Sequence, residues 1–136
     1  MSRKVGEPCA AVPVPSRLIA ILDDEPAFRR AMARVLGTYG YEGVPFATAG
    51  ALLRAVHVQR FDCILLDLAM PDLNGFEVLA ALRALRNVPP VIVVTGRDDP
   101  ESVRRAMELE AFDCHKKPVR APELVGAIER ACAAAA

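Results

Sequence analysis

The sequence predicts an α/β domain in which five parallel strands alternate with five helices, and three observations carry that expectation. Continuous apolar runs recur at Leu18-Ile19-Ala20-Ile21-Leu22, Ile64-Leu65-Leu66 and Val91-Ile92-Val93-Val94, the pattern of strands buried on both faces. Stretches with helical apolar spacing stand between them. Each run also stops at a residue with chemistry: Asp23 and Asp24, then Asp67, then Thr95, with Lys117 just beyond another short run. Ligands of open α/β sheets bind outside the carboxyl ends of the strands, so these groups should converge on one edge. The interval from Asp24 to Asp67 leaves room for two helices and a strand, and each later interval for one helix and a return strand.

Residues 1–16 hold Pro8, Pro13 and Pro15 with little periodicity and read as a flexible leader, with the domain over 17–136. Strands are expected at about 18–22, 41–46, 62–67, 91–95 and 112–116. In the first helix Phe28, Ala31, Met32, Val35 and Leu36 share one face, Arg29, Arg30 and Arg34 stay in water, and Gly37 or Gly40 closes it. The second, about 49–57, aligns Leu52, Leu53 and Val56; the third, about 75–86, aligns Phe76, Leu79, Leu82 and Leu85. After Pro100 a fourth helix offers only Val103, Ala106, Met107 and Leu109 among charges, which makes it the most weakly anchored. The last, after Pro122, repeats Leu124, Ile128, Ala131 and Cys132 before an alanine tail. No residues remain in this sequence for an output module. Right-handed crossovers favour the flavodoxin-like, doubly wound order 2-1-3-4-5, in which the first and third strands are neighbours and Asp23, Asp24 and Asp67 share a crevice.

With 17 basic and 17 acidic residues the 136-residue chain has zero formal charge, so no chain-wide attraction to nucleic acid or anionic lipid is expected. No apolar run approaches the ~20 residues of a membrane span, and the expected location is cytoplasmic. Cys9, Cys63, Cys114 and Cys132 have no C-x-x-C spacing and read as structural thiols. His115 beside Cys114 is not a metal pair, because adjacent strand residues face opposite ways. Arg104 and Arg105 read as a solvated helix face.

Three carboxylates in one crevice repel one another, and a hard divalent cation is the better remedy. Mg²⁺ suits them, since it binds through one or two carboxylates plus a phosphate. A carboxylate then becomes a credible nucleophile toward a phosphoryl group, and Asp67, placed centrally, is the candidate. Thr95 supplies a hydroxyl and Lys117 an ammonium for the charge on the phosphoryl oxygens, and the backbone at Gly96 can approach closely.

These residues stand in strings that resemble the response-regulator receiver domains of two-component signalling: Ile21-Leu22-Asp23-Asp24-Glu25, Asp67-Leu68-Ala69-Met70-Pro71-Asp72-Leu73-Asn74-Gly75, Val93-Val94-Thr95-Gly96 and Lys117-Pro118. The resemblance covers about residues 17–132. It implies Asp67 as phosphoacceptor, Asp23 and Asp24 with Asp67 and the Ala69 carbonyl as Mg²⁺ ligands, and backbone at Ala69 and Gly96 around the phosphoryl group. It further implies Thr95 as switch hydroxyl, Lys117 as phosphoryl-contacting lysine and a cis Lys117-Pro118 bond. Two positions depart from the family pattern. Cys114 stands where receivers usually carry Tyr or Phe, so no aromatic rotamer change can accompany movement of Thr95. Ala69, two after the phosphoacceptor, has no polar side chain for an attacking water, whereas Arg97, two after Thr95, is a candidate to reach toward the phosphoryl site, which leaves the acyl-phosphate lifetime open.

The expected function is a phosphorylation switch without an attached output domain. Its partners would be a histidine kinase or histidine phosphotransfer protein and a downstream protein met by the fourth helix, fifth strand and fifth helix, with a homodimer left open. The competing reading is a phosphorylation-independent adaptor on the same fold. An Asp-nucleophile phosphatase of the haloacid dehalogenase type is rejected, because the second acid it needs two residues on is Ala69 here. A transcription factor is disfavoured, because no recognition helix or basic stripe follows the last helix.

Overall fold

The computed structural model describes residues 16–69, 74–96 and 99–135. The elements follow in strict alternation: β1 (Leu18–Leu22), α1 (Pro26–Thr38), β2 (Glu42–Phe46), α2 (Ala49–Val58), β3 (Cys63–Leu66), α3 (Gly75–Arg83), β4 (Val91–Thr95), α4 (Pro100–Glu108), β5 (Asp113–Lys116) and α5 (Ala121–Ala135). All strand pairs are parallel and the order is 2-1-3-4-5, as expected. Ala20 is paired with Val44 and Ile64, and Leu66 with Val93, which brings the ends of β1, β3 and β4 to one edge.

The two-residue period of the strands divides the core. Ala20, Leu22, Ile64, Leu66, Val91 and Val93 face α2, α3 and α4, where they meet Leu52, Phe76, Leu79, Leu82 and Ala106. Ile19, Ile21, Cys63, Leu65, Ile92 and Val94 face α1 and α5, against Met32, Leu36, Leu124, Ile128, Ala131 and Cys132. Coverage on both faces is why the strand sequences are apolar without alternation. Cys63 and Cys132 are buried free thiols, and desolvation pushes the Cys63 thiol well above its ordinary value.

Several local expectations need correction. Ala31 lies exposed on α1, and its place on the packed face is taken by half-buried Ala33. Gly37 stays inside the helix; Gly40, at φ 86°, makes the left-handed step after it. Helix α3 ends at Arg83 rather than near residue 86, because the Leu85 N–H turns back to the Leu82 carbonyl at 3.0 Å and Pro89 and Pro90 soon follow. Leu85 still packs on the core from that turn. On α4 Met107 is exposed, and the buried residues are Ser102 and Ala106. The Ser102 N–H and hydroxyl both donate to the N-cap carboxylate of Asp99, each at 2.9 Å, so a capping bond replaces apolar contact.

Residues 1–15 of the expected leader, Cys9 among them, Arg97, and Met70 to Leu73 of the longest string lie outside the described residues. No described helix is long and apolar enough to cross a membrane.

Candidate functional site

At the carboxyl edge of the sheet the five side chains expected there come together. Asp23 follows β1, Asp67 follows β3, Thr95 ends β4 and Lys117 directly follows β5 and is joined to Pro118 by a cis bond. Asp23, Asp67 and Thr95 are almost fully buried, at 1%, 5% and 1% exposure, whereas Asp24 is exposed. One carboxylate oxygen each from Asp23, Asp24 and Asp67 can be chosen so that all lie within 4.8 Å of one another. Backbone pairing fixes the edge: the Asp67 N–H donates to the Leu22 carbonyl at 3.1 Å and the Lys117 N–H to the Thr95 carbonyl at 2.8 Å.

The Lys117 ammonium stands inside this cluster, 2.6 Å from Asp23 Oδ2 and 3.5 Å from Asp67 Oδ2. It also sits 4.1 Å from the centroid of the Phe28 ring. Burial alone would lower its proton affinity, but the hydrogen bond to Asp23 and the charge of Asp67 prevail, and its pKa is raised. The Asp67 carboxyl is also raised, mainly by desolvation and further by Asp23. The Ala69 N–H, the Lys117 ammonium and the Thr95 hydroxyl oppose that shift without cancelling it. The Ala69 N–H donates to Asp67 Oδ1 at 3.1 Å, and Ala69 is held by a bridge to Asn74.

Two buried acids and an exposed third, with one ammonium among them, keep an excess of negative charge, which a divalent cation would neutralise. An all-oxygen donor set of this kind suits Mg²⁺ better than a softer metal. Gly96, just after Thr95, is exposed, and a Cβ there would meet nothing within 4 Å.

Three contributors escaped the sequence reading. Arg29 does not stay in water: its guanidinium donates to the Asp23 carbonyl at 2.7 Å and tethers α1 to the acidic loop. Phe28, read only as a packing residue, carries the ammonium on its ring. Gly75 lets α3 begin against the Asp67 loop, because a Cβ there would lie 2.4 Å from the Leu68 Cα and 2.7 Å from the Asp67 carbonyl oxygen. The Asn-Gly pair was visible as part of a motif, but only the fold supplies its reason.

Other expectations resolve away from this edge. His115 is an edge-strand histidine, its Nε2 3.1 Å from Asp113 Oδ2, with no part in a pair with Cys114. Cys114 is half-buried against the α2–α4 face of the core. Arg104 is solvated within α4, paired with Glu101 and Glu108, whereas Arg105 stacks over Phe76 of α3 at 4.3 Å and is not merely a solvated charge.

Comparison with known proteins follows this geometry. The family profile described as response regulator receiver domain matches residues 19–129. The response regulator protein TodT of Pseudomonas putida is 32% identical over 114 residues, covering 84% of this chain and 50% of its own length. The transcriptional regulatory protein KdpE of Mycobacterium tuberculosis is 34% identical over 114 residues, with the same shares of 84% and 50%. The chain thus spans about half the length of these curated relatives. A crystal structure of a CheY-like response regulator receiver domain protein from Methanospirillum hungatei JF-1 is 29% identical and superposes with a TM-score of 0.83, covering 89% of this chain and 97% of that one.

Proposed function

From the premise that this chain belongs to the response regulator receiver domain family, we propose that it is a phosphorylation switch whose Asp67 accepts a phosphoryl group from a histidine kinase or a histidine phosphotransfer protein. The observation that carries the reading is the buried Asp67 carboxylate, held by the Ala69 N–H and faced by Lys117 and Thr95 beside two further acids. An Asp67 oxygen attacks phosphorus, the new P–O bond forms as the P–N bond of the donor phosphohistidine breaks, and the imidazole leaves with the electron pair. Lys117 and Thr95 meet the charge that spreads over the phosphoryl oxygens, and the backbone at Ala69 and Gly96 would add contacts to the same oxygens. Asp23, Asp24, Asp67 and the Ala69 carbonyl would hold Mg²⁺, whose chemistry there is neutralisation of negative charge shared by the acids and the phosphoryl group. The protein is a signalling acceptor on this reading, and its only chemistry is self-catalysed transfer and loss of its own phosphoryl group.

The changed surface is proposed to be α4, β5 and α5, where a downstream protein or a second copy docks, and the setting is taken to be cytoplasmic. Cys114 in place of the usual ring favours a second reading, an adaptor that binds its partner without phosphorylation. Incubation with a small phosphodonor and Mg²⁺, followed by intact mass measurement, separates the two. The wild type should gain one hydroxylamine-labile phosphoryl group, and Asp67→Asn should gain none. Labelling of Asp67→Asn at the wild-type level rejects the acceptor assignment, and no labelling of either protein favours the adaptor.

A further inference from the structure

We propose that the ring of Phe28 is the seat of the Lys117 ammonium: it keeps the cation on Asp23 in the metal-free protein, so that Mg²⁺ must displace the ammonium from Asp23, and Phe28 is thereby a positioning residue that sets Mg²⁺ affinity. The displacement rests on reading Asp23, Asp24 and Asp67 as the Mg²⁺ site; the seat itself does not.

The ammonium is not shared evenly between its two acids. It lies 2.6 Å from Asp23 Oδ2 but 3.5 Å from Asp67 Oδ2, and it takes the former position while 4.1 Å above the centre of the Phe28 ring. Both oxygens of Asp23 are then engaged, because Oδ1 accepts the Glu25 N–H at 2.9 Å. A divalent cation reaching Asp23 through Oδ2 must compete with an ammonium in contact with it. What holds the ammonium there is α1. Phe28 and Arg29 are consecutive in its first turn, one beneath the Lys117 cation and the other bonded to the Asp23 carbonyl, so the helix sets the distance between ring and acid. The Lys117 side chain is 20% exposed and that of Asp23 2%, and attraction between a cation and a ring face grows as water is excluded. An aliphatic side chain at 28 would fill space without holding charge.

Two measurements test this. In NMR spectra of the metal-free protein the side-chain methylene protons of Lys117 nearest the ammonium should stand upfield of those of the other lysines through the ring current of Phe28. Phe28→Leu should return them to the ordinary position and Phe28→Tyr should leave them upfield. In calorimetric titration with Mg²⁺, Phe28→Leu should bind roughly threefold to tenfold more tightly than the wild type, Phe28→Tyr should match the wild type, and Phe28→Leu should have no effect once Lys117→Met is also present. Unshifted Lys117 protons in the wild type would overturn the seat. Unchanged affinity in Phe28→Leu, or a change that persists in the Lys117→Met background, would overturn the competition. A wild type that takes up no Mg²⁺ overturns the competition together with the metal reading of the acids. Normal Mg²⁺ binding without labelling of Asp67 would sink the acceptor assignment alone and leave Phe28 in its role.

Discussion

Asp67 stands at a position where ionisation of its carboxyl opposes folding. Desolvation raises its carboxyl pKa, Asp23 adds to the rise, and the Ala69 N–H, Lys117 and Thr95 offset only part of it. A carboxyl whose folded pKa exceeds the ordinary 3.8 binds more protons in the native state than in the unfolded chain, so its contribution to stability falls as pH rises above that value. Asp67→Asn removes the charge at nearly constant shape. In chelator, thermal melts should show the variant more stable than the wild type by about 1 kcal/mol at neutral pH, with the gap narrowing as pH falls toward 3.8. Equal stability at pH 7, or a gap that widens on acidification, would show that Lys117 and the Ala69 N–H fully compensate the charge. Asp23, Asp67 and Thr95 were legible in the sequence because each ends or follows a buried run, and Lys117 because it stands in the Lys-Pro string after a short strand. Phe28 and Arg29 were not, because helical periodicity assigns residues to a face without saying that the first turn of α1 lies over the carboxyl edge of the sheet.

Among the elements, α3 shows how the site depends on a helix that supplies no acid. Its first residue, Gly75, donates its N–H to the Leu68 carbonyl at 3.1 Å, and Asn74 caps it through Oδ1 and the Phe76 N–H at 2.8 Å. The helix can start this close to Asp67 only without a side chain at 75, where the conflict is with the backbone of Asp67 and Leu68 and cannot be relieved by rotating a side chain. Gly75→Ala should therefore destabilise the protein by about 2 kcal/mol or more, despite the better intrinsic helix propensity of Ala, and should slow phosphorylation of Asp67 by displacing its loop. Denaturant unfolding that matches the wild type would show that α3 can shift freely. The helices were legible where an apolar stripe marks the packed face, as in α2 and α5. The end of α3 and the inner face of α4 were not, since Leu85 packs from a turn outside the helix and Ser102 is buried through its capping bonds to Asp99.

At the scale of the whole molecule, a change at Asp67 must travel through parts that can move, and the described elements differ in how firmly they are packed. α5 buries six residues, from Leu124 to Cys132, against one face of the sheet, whereas α4 buries only Ser102 and Ala106, with half-buried Val103 within it and Leu109 at its end, the stacking of Arg105 over Phe76, and the exposed Arg83–Glu110 ion pair just beyond it. Exposed pairs of that kind contribute little, typically ~0–1 kcal/mol, so α4 should open locally more readily than its neighbours. Thr95 ends the strand beside β5, and there Cys114 presents a small half-buried side chain opposite Val93 where an aromatic ring would resist displacement. Phosphorylation at Asp67 should then be expressed as a shift in the population of α4 positions rather than as the flip of a ring. Hydrogen exchange with and without beryllofluoride and Mg²⁺ should show the largest protection changes in the residues following Thr95 and in α4, with α5 changing less. Changes confined to α1 and α2, with α4 silent, would show that the signal leaves the site through the acidic loop and the first turn of α1 instead.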